Sequence, residues 1–334
     1  MRIAYLDCAS GISGDMLLGA AVDAGADLAT IQTGIDSLGL PSCRLELEEV
    51  KRHAFRAAKV HVRHEPEHAH RHLHHITDMI DGSNLSDTQQ EVAKRVFTRL
   101  GEAEAKVHGS TLQKVHFHEV GAVDSIADIV GCAIALDLLQ IDRIVCSPLP
   151  TGHGFIQIAH GRCRVPAPAT AELLQGVPLA ETDVQAELTT PTGAALAVTM
   201  SESFGSMPAM TVQSIGYGAG DRDFESHANI LRMLIGSVSD EAKSDQVIVL
   251  ETNLDDVSAE IIGHTSQSLM QAGALDVYAT AIQMKKNRPG TKLTLLCRAF
   301  DVELLENILF RETRTLGVRR WTADRRILGR EEIR

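Results

Sequence analysis

Hydrophobic and polar positions change their spacing several times along the chain, and each change predicts a different element. Residues 2–6 have the character of a short strand, and residues 16–24 have the apolar spacing of a helix. Glycines interrupt the segment between them, which predicts a strand, a glycine-rich turn and a helix in that order. Residues 56–63 alternate like a half-buried strand, and residues 124–139 form the most apolar helical stretch. Residues 216–222 are polar and glycine-rich, which predicts a loop.

The pattern is clearest beyond residues 237–245, a polar segment that predicts a linker. Strand, helix, strand, strand, helix and strand then follow, at residues 246–253, 259–272, 275–284, 291–297, 301–312 and 317–323. This β-α-β-β-α-β order is that of a ferredoxin-like sandwich. We therefore predict an α/β (α+β) protein. Its N-terminal mixed α/β domain, residues 1–236, carries the glycine-rich turn, and residues 246–334 form the ferredoxin-like domain.

Composition supports a globular protein and excludes several functions. The chain has 334 residues, of which 44% are apolar and 23% charged, as expected for two folded domains. A net charge of -12 and only 4% aromatic residues argue against a nucleic-acid partner. The sequence has no unbroken apolar run of about 18 residues, and its start lacks the features of a signal peptide. Six cysteines without a C-x-x-C pair indicate reduced thiols. We expect a cytoplasmic protein without a membrane partner.

Histidines crowd residues 61–75, which we expect to form a His-rich loop. Neutral imidazole binds nickel, zinc, copper and ferrous iron well. His68, His70, His72 and His74 are therefore candidate ligands for loose metal collection. A solvated loop that binds nothing is the alternative. Flexible loops hold ligands imprecisely, so catalysis is expected elsewhere.

A second histidine motif lies just before the most apolar helix. On an extended segment His116 and His118 point to the same side, while Asp124 and Asp128 share one face of the next helix. The set predicts a first-row metal site with open positions, and His116, His118 and Asp124 are the catalytic candidates. One alternative is a single buried histidine with an aspartate capping the helix. Another is a metal-dependent phosphate-ester hydrolase that uses the same four residues.

The glycine-rich turn predicts an anion site. A turn of this kind directs backbone amides and a helix N-terminus at a phosphate or carboxylate. It lacks the Gly-Lys-Ser/Thr of a P-loop, so a standard NTPase is excluded. The candidate binding residues are Ser10, Gly11, Ser13, Gly14 and Asp15. A purely structural turn is the alternative.

Charged residues of the C-terminal domain suggest a nucleotide site. Carboxylates follow one strand, and cations occupy the next hairpin turn, a combination that suits a magnesium-bound polyphosphate. The candidates are Asn253, Asp255, Asp256, Lys285, Lys286 and Arg288. A solvated charged hairpin is the alternative.

Four motifs taken in order resemble the family of nickel insertion proteins that mature the nickel-pincer nucleotide cofactor (LarC-type). They are LDCASGISGDM at residues 6–16, VHFHEVGAVDSIAD at 115–128, TTPTGA at 189–194, and ETNLDD at 251–256 followed by QMKKNRPG at 283–290. The resemblance covers almost the whole chain, with the His-rich stretch in the family's place. Family members usually continue past the last predicted strand, so we expect the C-terminal domain to be truncated at its end.

The resemblance implies a specific reaction. The substrate is a pyridinium mononucleotide with two thiocarboxylates, and the product holds nickel through one carbon and two sulfurs. The family uses CTP with magnesium or manganese, which implies a CTP-dependent cyclometallase of the lyase class. In this chain Asp255 and Asp256 would bind the divalent cation, and His116 and His118 would present nickel. A homo-oligomer is expected, and a non-catalytic nickel store or chaperone is the alternative function.

Overall fold

The structure is a computed structural model that describes residues 1–65, 71–117, 121–158, 161–224, 227–238 and 243–327. The chain divides into two compact units, Met1–Ser239 and Asp240–Arg334. Both contain sheets and helices, so the mixed α/β class is confirmed. Within the described ranges, no helix combines the length and the apolar character needed to cross a membrane.

The first unit contains most of the regular structure. Its helices are α1 (Gly14–Asp23), α2 (Leu28–Asp36), α3 (Leu73–Asp81), α4 (Asp87–Val107), α5 (Val123–Leu138), α6 (Pro168–Leu173) and α7 (Pro191–Met200). Its strands are β1 (Arg2–Asp7), β2 (Arg44–Arg52), β3 (Phe55–Arg63), β4 (Arg71–His72), β5 (His116–Phe117), β6 (Arg143–Cys146), β7 (Leu149–Pro150), β8 (Phe155–Ile158), β9 (Gly161–Arg164), β10 (Leu179–Ala180), β11 (Ser203–Phe204), β12 (Thr211–Ala219) and β13 (Ile230–Ser237). The predicted strand, turn and helix at the start of the chain are confirmed.

The main sheet has the order β11-β6-β1-β13-β12-β3-β2 among the described strands. Strand β1 pairs parallel with β6 and antiparallel with β13. The glycine-rich turn leaves the carboxyl end of β1 and leads into α1. In open α/β sheets, ligands bind at this edge, outside the carboxyl ends of the strands. The sheet therefore places the turn where a site is expected.

The predicted loop at residues 216–222 is wrong at Gly216 and Gly218, which both lie in a strand. Strand β12 continues to Ala219, and α1 lies directly on it. A Cβ at Gly216 would lie 1.9 Å from the Ala20 carbonyl oxygen, and one at Gly218 would lie 1.8 Å from the Met16 carbonyl oxygen. Glycine here permits close contact between helix and strand, and not a turn.

The predicted His-rich loop at 61–75 is wrong at both ends. His61 belongs to β3, His72 closes β4, and His74 lies in the first turn of α3. Helix α3 forms because Ile76 and Ile80, four residues apart, are both fully buried on one face. His68 and His70 lie outside the described residues.

The second unit follows the element order expected from the sequence. Its strands are β14 (Lys243–Leu254), β15 (Asp276–Gln283), β16 (Pro289–Cys297) and β17 (Arg319–Ile327), and its helices are α8 (Ala259–Gln271) and α9 (Val302–Thr313). The strands pair in the order β15-β16-β14-β17. Buried Leu250 and Leu293 pack with Leu305 and Leu309 of α9 in this unit's core. Strand β13 ends at Ser237 and β14 begins at Lys243, so the predicted linker 237–245 overlaps both strands.

Candidate active site

The start of α1 is built without a side-chain cap. Ser13 occupies the N-cap position, but its hydroxyl donates a hydrogen bond to Asp15 Oδ1 and no side-chain oxygen caps the backbone. An α-helix leaves its first amides without intrahelical acceptors, and here these include those of Gly14 and Met16. The N-terminus of α1 therefore presents the positive end of the helix dipole and unpaired amides, which suit an anionic group.

The amides earlier in the turn are already engaged. Gly11 N–H donates to the Cys8 carbonyl at 2.8 Å, and Ile12 N–H donates to the Leu188 carbonyl at 3.0 Å. Gly11 has φ of 87°, and a Cβ there would lie 2.0 Å from the Leu188 carbonyl oxygen. Gly11 therefore permits close packing against Leu188. Ser10 is buried, and its hydroxyl donates to the Ala228 carbonyl. The amides of Gly11 and Ile12 are therefore not free to bind an anion, whereas the first turn of α1 still has unpaired amides.

A buried lysine lies beside α1. Lys59 of β3 is only 3% exposed, and its ammonium contacts Asp15 Oδ2 and lies 2.6 Å from Asp221 Oδ1. Burial lowers the pKa of Lys59, but the two carboxylates outweigh it, and the pKa is raised. Lys59 is therefore a fixed cation that joins α1, β3 and the segment after β12.

Asp128 of α5 approaches the same turn from the other side. A Cβ added to Gly14 would lie 2.7 Å from both Cβ and Oδ2 of Asp128, so only glycine permits this contact. Oδ1 of Asp128 is buried and has no hydrogen-bond partner among the described residues. Burial, followed by the nearby charges of Asp15 and Asp124, raises the pKa of Asp128 well above its ordinary value. The structure thus joins the glycine-rich turn and the 115–128 motif, which the sequence treats as separate candidates.

An open cavity of about 180 Å³ lies beside the first turn of α1, where Asp15 and Asp221 line it. The side chains that line it include Ser13, Asp15, Thr190, Asp221, Arg222 and Phe224. The cavity therefore offers carboxylates, a guanidinium and an aromatic ring within one small space. We name Asp15, Lys59, Asp128 and Asp221, with this cavity, the acidic pocket.

The structure describes the predicted histidine motif only in part. His118 lies outside the described residues, and so does the side chain of His116, whose backbone forms β5. Asp124 is exposed in the first turn of α5, where its Oδ1 accepts a hydrogen bond of 2.7 Å from the Ser125 amide. The roles assigned to His116, His118 and Asp124 therefore remain predictions.

Three histidines cluster where β4 meets α3. The ring centroids of His74 and His75 are 4.0 Å apart, and the His72 centroid lies 5.4 Å and 5.5 Å from them. Burial and the two neighbouring rings lower the pKa of His75, which favours the neutral imidazole that binds metals. Across the part of the chain that the structure describes, however, no three histidine, cysteine or acidic side chains are arranged to hold a metal ion.

The predicted nucleotide-binding residues lie in two separate places within the second unit. Asp255 Oδ2 lies 3.7 Å from Arg288 Nη1, so this carboxylate accompanies the hairpin turn that contains Lys285 and Lys286. Asp256 instead lines a cavity of about 730 Å³ between α8 and α9, with His264 and Glu312. Asn253 accepts a hydrogen bond of 2.7 Å from Arg319.

Sequence reasoning missed Lys59 and Asp221. A lysine between apolar neighbours in an alternating strand is a usable signal, because a buried ammonium requires an anionic partner. Nothing in the local sequence around Asp221 identifies it as that partner. The contact depends on β3 and β12 lying side by side in the sheet.

The fold and the site define a two-unit α/β protein with an acidic, lysine-bridged pocket in its first unit and a charged hairpin in its second. The chain belongs to the nickel insertion protein family, whose model matches residues 4–334.

Two curated relatives illustrate the similarity. A putative nickel insertion protein of Rhodopirellula baltica is 52% identical over 334 residues, which cover 98% of this chain and 84% of the relative. The pyridinium-3,5-bisthiocarboxylic acid mononucleotide nickel insertion protein of Staphylococcus epidermidis is 46% identical over 326 residues, which cover 98% and 82%. Among solved structures, the apo C-terminal domain of a cyclometallase, LarC2, involved in synthesis of the NPN cofactor of lactate racemase matches 27% of this chain and 62% of its own. That match has 46% identity and a TM-score of 0.26.

Proposed function

We propose that this protein inserts nickel into pyridinium-3,5-bisthiocarboxylic acid mononucleotide in a CTP-dependent reaction that forms the nickel-pincer nucleotide cofactor. The observation that carries the proposal is the 46% identity, over 98% of this chain, to a relative named for that substrate. The first unit adds a pocket whose helix N-terminus and Arg222 suit an anionic group. We place the reaction in the cytoplasm and expect a homo-oligomer, with the edge strands β15 and β17 available for pairing.

The first unit would hold the precursor and nickel. The amides at the start of α1 suit the phosphate, since the amides of Gly11 and Ile12 already have acceptors. Arg222 lines the same cavity, and its guanidinium adds a positive charge for the phosphate. His116, His118 and Asp124 would present nickel to the two sulfur ligands, which are soft donors that nickel favours.

The histidine tract would collect nickel and deliver it nearby. Strands β4 and β5 pair antiparallel, and His72 lies opposite His116 in their register. The end of the tract is thus next to the backbone of the strand that carries the predicted inner ligand His116, and His72 and His74 would be the last residues to carry loosely bound nickel.

The second unit, which we infer to be a ferredoxin-like sandwich from its element and strand order, would bind CTP. Lys285, Lys286 and Arg288 would contact phosphate oxygens. Asp255 would hold magnesium or manganese, since hard cations prefer carboxylate oxygen, and Asp256 is the second candidate. Asn253 lies on the adjoining strand and would help to position the nucleotide.

The direct test is reconstitution. Purified protein, nickel, CTP, magnesium and the bis-thiocarboxylate precursor should give a nickel-containing product, detected by mass spectrometry. Leaving out CTP tests the nucleotide requirement separately. Absence of product with all components present would refute the proposed function. Release of inorganic phosphate from simple nucleotides, without precursor, would favour the phosphate-ester hydrolase instead.

Replacement of His68, His70 and His74 with alanine separates an enzyme from a nickel store and leaves β3 and β4 intact. For an enzyme, turnover at high nickel concentration should survive the replacement, because the tract only collects the metal. For a store, all nickel binding should disappear and no product should form in either protein. Equilibrium dialysis with nickel and the reconstitution assay provide the two measurements.

The two adjacent carboxylates of the second unit should differ in their effect on nucleotide binding. Asp255→Asn is expected to weaken binding of magnesium–CTP about 10-fold or more, as loss of one charge-assisted contact does. Asp256→Asn should weaken it less, because Asp256 lines the cavity between α8 and α9 and not the hairpin side. Calorimetric titration of both variants measures the difference. A larger loss in the Asp256 variant would move the site to that cavity.

A further inference from the structure

Asp128 differs from the other carboxylates of the acidic pocket, because among the described residues no cation or amide pairs with it. Asp15 accepts from Ser13 and contacts Lys59. Asp221 pairs with Lys59 and has an 83% exposed side chain. A buried carboxylate oxygen without a donor, as Oδ1 of Asp128 is, lowers the stability of the fold. Such a group indicates a role that the fold alone does not explain.

The charges around Asp128 make it a strong proton acceptor once ionised. The facing groups are Asp15 on α1, Asp124 one turn earlier on α5, Lys59 on β3 and Asp221 after β12. Burial and the three carboxylates raise the pKa of Asp128, and only Lys59 lowers it. The carboxylate of Asp15, in the first turn of α1, is instead held by the Lys59 ammonium and the Ser13 hydroxyl.

The chemistry of the proposed substrate requires such an acceptor. Nickel held by sulfurs on ring positions 3 and 5 faces the ring carbon between them, which carries a hydrogen. When nickel bonds to that carbon, the C–H bond breaks, its electron pair forms the Ni–C bond, and a proton must leave. No electron is gained or lost overall, so the step needs a base and no oxidant.

We propose that Asp128 is the catalytic base that accepts the ring-carbon proton during nickel insertion. The inference rests on the proposed function and adds a residue role to it. Asp128 lies against Gly14, whose neighbours Ser13 and Asp15 line the cavity, so the base adjoins the space in which the ring of the precursor would lie. Lys59 stays paired with Asp15 and Asp221 and keeps the ionised form of Asp128 accessible.

Two substitutions of Asp128 test the role in the full-length protein. Asp128→Asn keeps the shape but removes the base, and it should lower the rate of insertion about 100-fold or more. Asp128→Ala should lose the same activity but leave space beside Gly14, so added formate should restore part of its rate in proportion to concentration. Formate should not restore Asp128→Asn, in which the amide fills that space. Asp137→Asn, an exposed change on the same helix, is the matched control and should keep the original rate.

Further measurements separate a base from a positioning residue. With deuterium on the ring carbon, Asp128→Asn should show a larger primary isotope effect than the unchanged protein, because proton removal becomes limiting. The rate of insertion by the unchanged protein should rise with pH as Asp128 ionises. This rise should be absent in Asp128→Asn. Binding of nickel and of precursor, measured by calorimetry, should change less than about 3-fold, a small fraction of the effect expected on the rate.

The possible failures are distinguishable. If the unchanged protein forms no product, the proposed function falls and the role of Asp128 falls with it. If the unchanged protein is active but Asp128→Asn retains its rate, isotope effect and pH profile, only the role of Asp128 is overturned. Loss of activity without formate rescue in Asp128→Ala, together with weakened precursor binding, would also overturn it in favour of a positioning role.

Discussion

Replacing Lys59 with methionine should lower the stability of the first unit by about 3 kcal/mol, the low end of the range for breaking a buried ion pair. Methionine fills most of the space of the lysine stem, so the loss of stability measures the contribution of the ammonium charge. Lys59 is 3% exposed, and its removal leaves Asp15 without its cation beside another ionisable carboxyl, Asp128. Asp221 should contribute little to the loss, because its side chain is 83% exposed and well hydrated.

The measurement is amide hydrogen exchange in peptides from α1 and β3, which gives a local free energy of opening. Lys59→Met combined with Asp15→Asn should recover much of the loss, since the one carboxylate then left without Lys59, that of Asp221, is exposed to water. The pKa of Lys59 is raised, so its contribution should be complete below about pH 10 and should be lost only as the pH rises through the folded-state value. Equal protection in the single variant and the unchanged protein would show that the ion pair adds no stability.

The local pattern of the chain predicts its elements better than their contacts. The order of the six elements of the second unit follows from local pattern, because apolar stretches with strand or helix spacing are separated by polar, turn-forming residues. Helix α5 is also evident, since its apolar residues are almost continuous. The prediction for β12 is wrong at Gly216 and Gly218, where glycine permits a helix to lie against a strand. A single sequence does not separate that use of glycine from a turn.

In the candidate site, too, the sequence predicts the residues better than the contacts between them. The glycine-rich turn and Asp128 are both recognisable from the sequence, yet their contact through Gly14 depends on how α1 and α5 pack. Lys59 reaches Asp15 across 44 positions of sequence. Contacts of this kind depend on the strand order, with β3 next to β12, and no local periodicity encodes that order. Sequence therefore identifies several of the residues, and topology determines their partners.

The anion site at the turn illustrates a finer limit. A glycine-rich turn before a helix predicts amides that are free to bind a phosphate. The structure keeps that possibility at the start of α1 but removes it at Gly11 and Ile12, whose amides donate hydrogen bonds to the Cys8 and Leu188 carbonyls. The sequence indicates which turns can form. Hydrogen bonds to neighbouring segments determine which amides of the turn stay free to bind an anion.

Asp128→Asn should stabilise the first unit at neutral pH by about 1–3 kcal/mol, because the neutral amide removes the cost of ionising a buried carboxyl. Burial, followed by Asp15 and Asp124, raises the folded-state pKa of Asp128 above its unfolded value. The stability associated with this group is therefore complete below the unfolded pKa of about 4 and is lost as the pH rises through the folded-state value. The variant should thus match the unchanged protein near pH 4 and exceed it above the folded-state pKa.

Hydrogen exchange of α1 and α5 peptides between about pH 4 and about pH 9 checks this expectation, with rates corrected for the intrinsic pH dependence of exchange. Asp137→Asn is again the matched control, and its difference from the unchanged protein should not follow the same pH course. A variant that is more stable but inactive would show that this carboxylate is retained for chemistry at a cost to the fold. A destabilised variant at alkaline pH would mean instead that the ionised carboxylate of Asp128 has a favourable partner, and this would remove the physical basis for its role as a base.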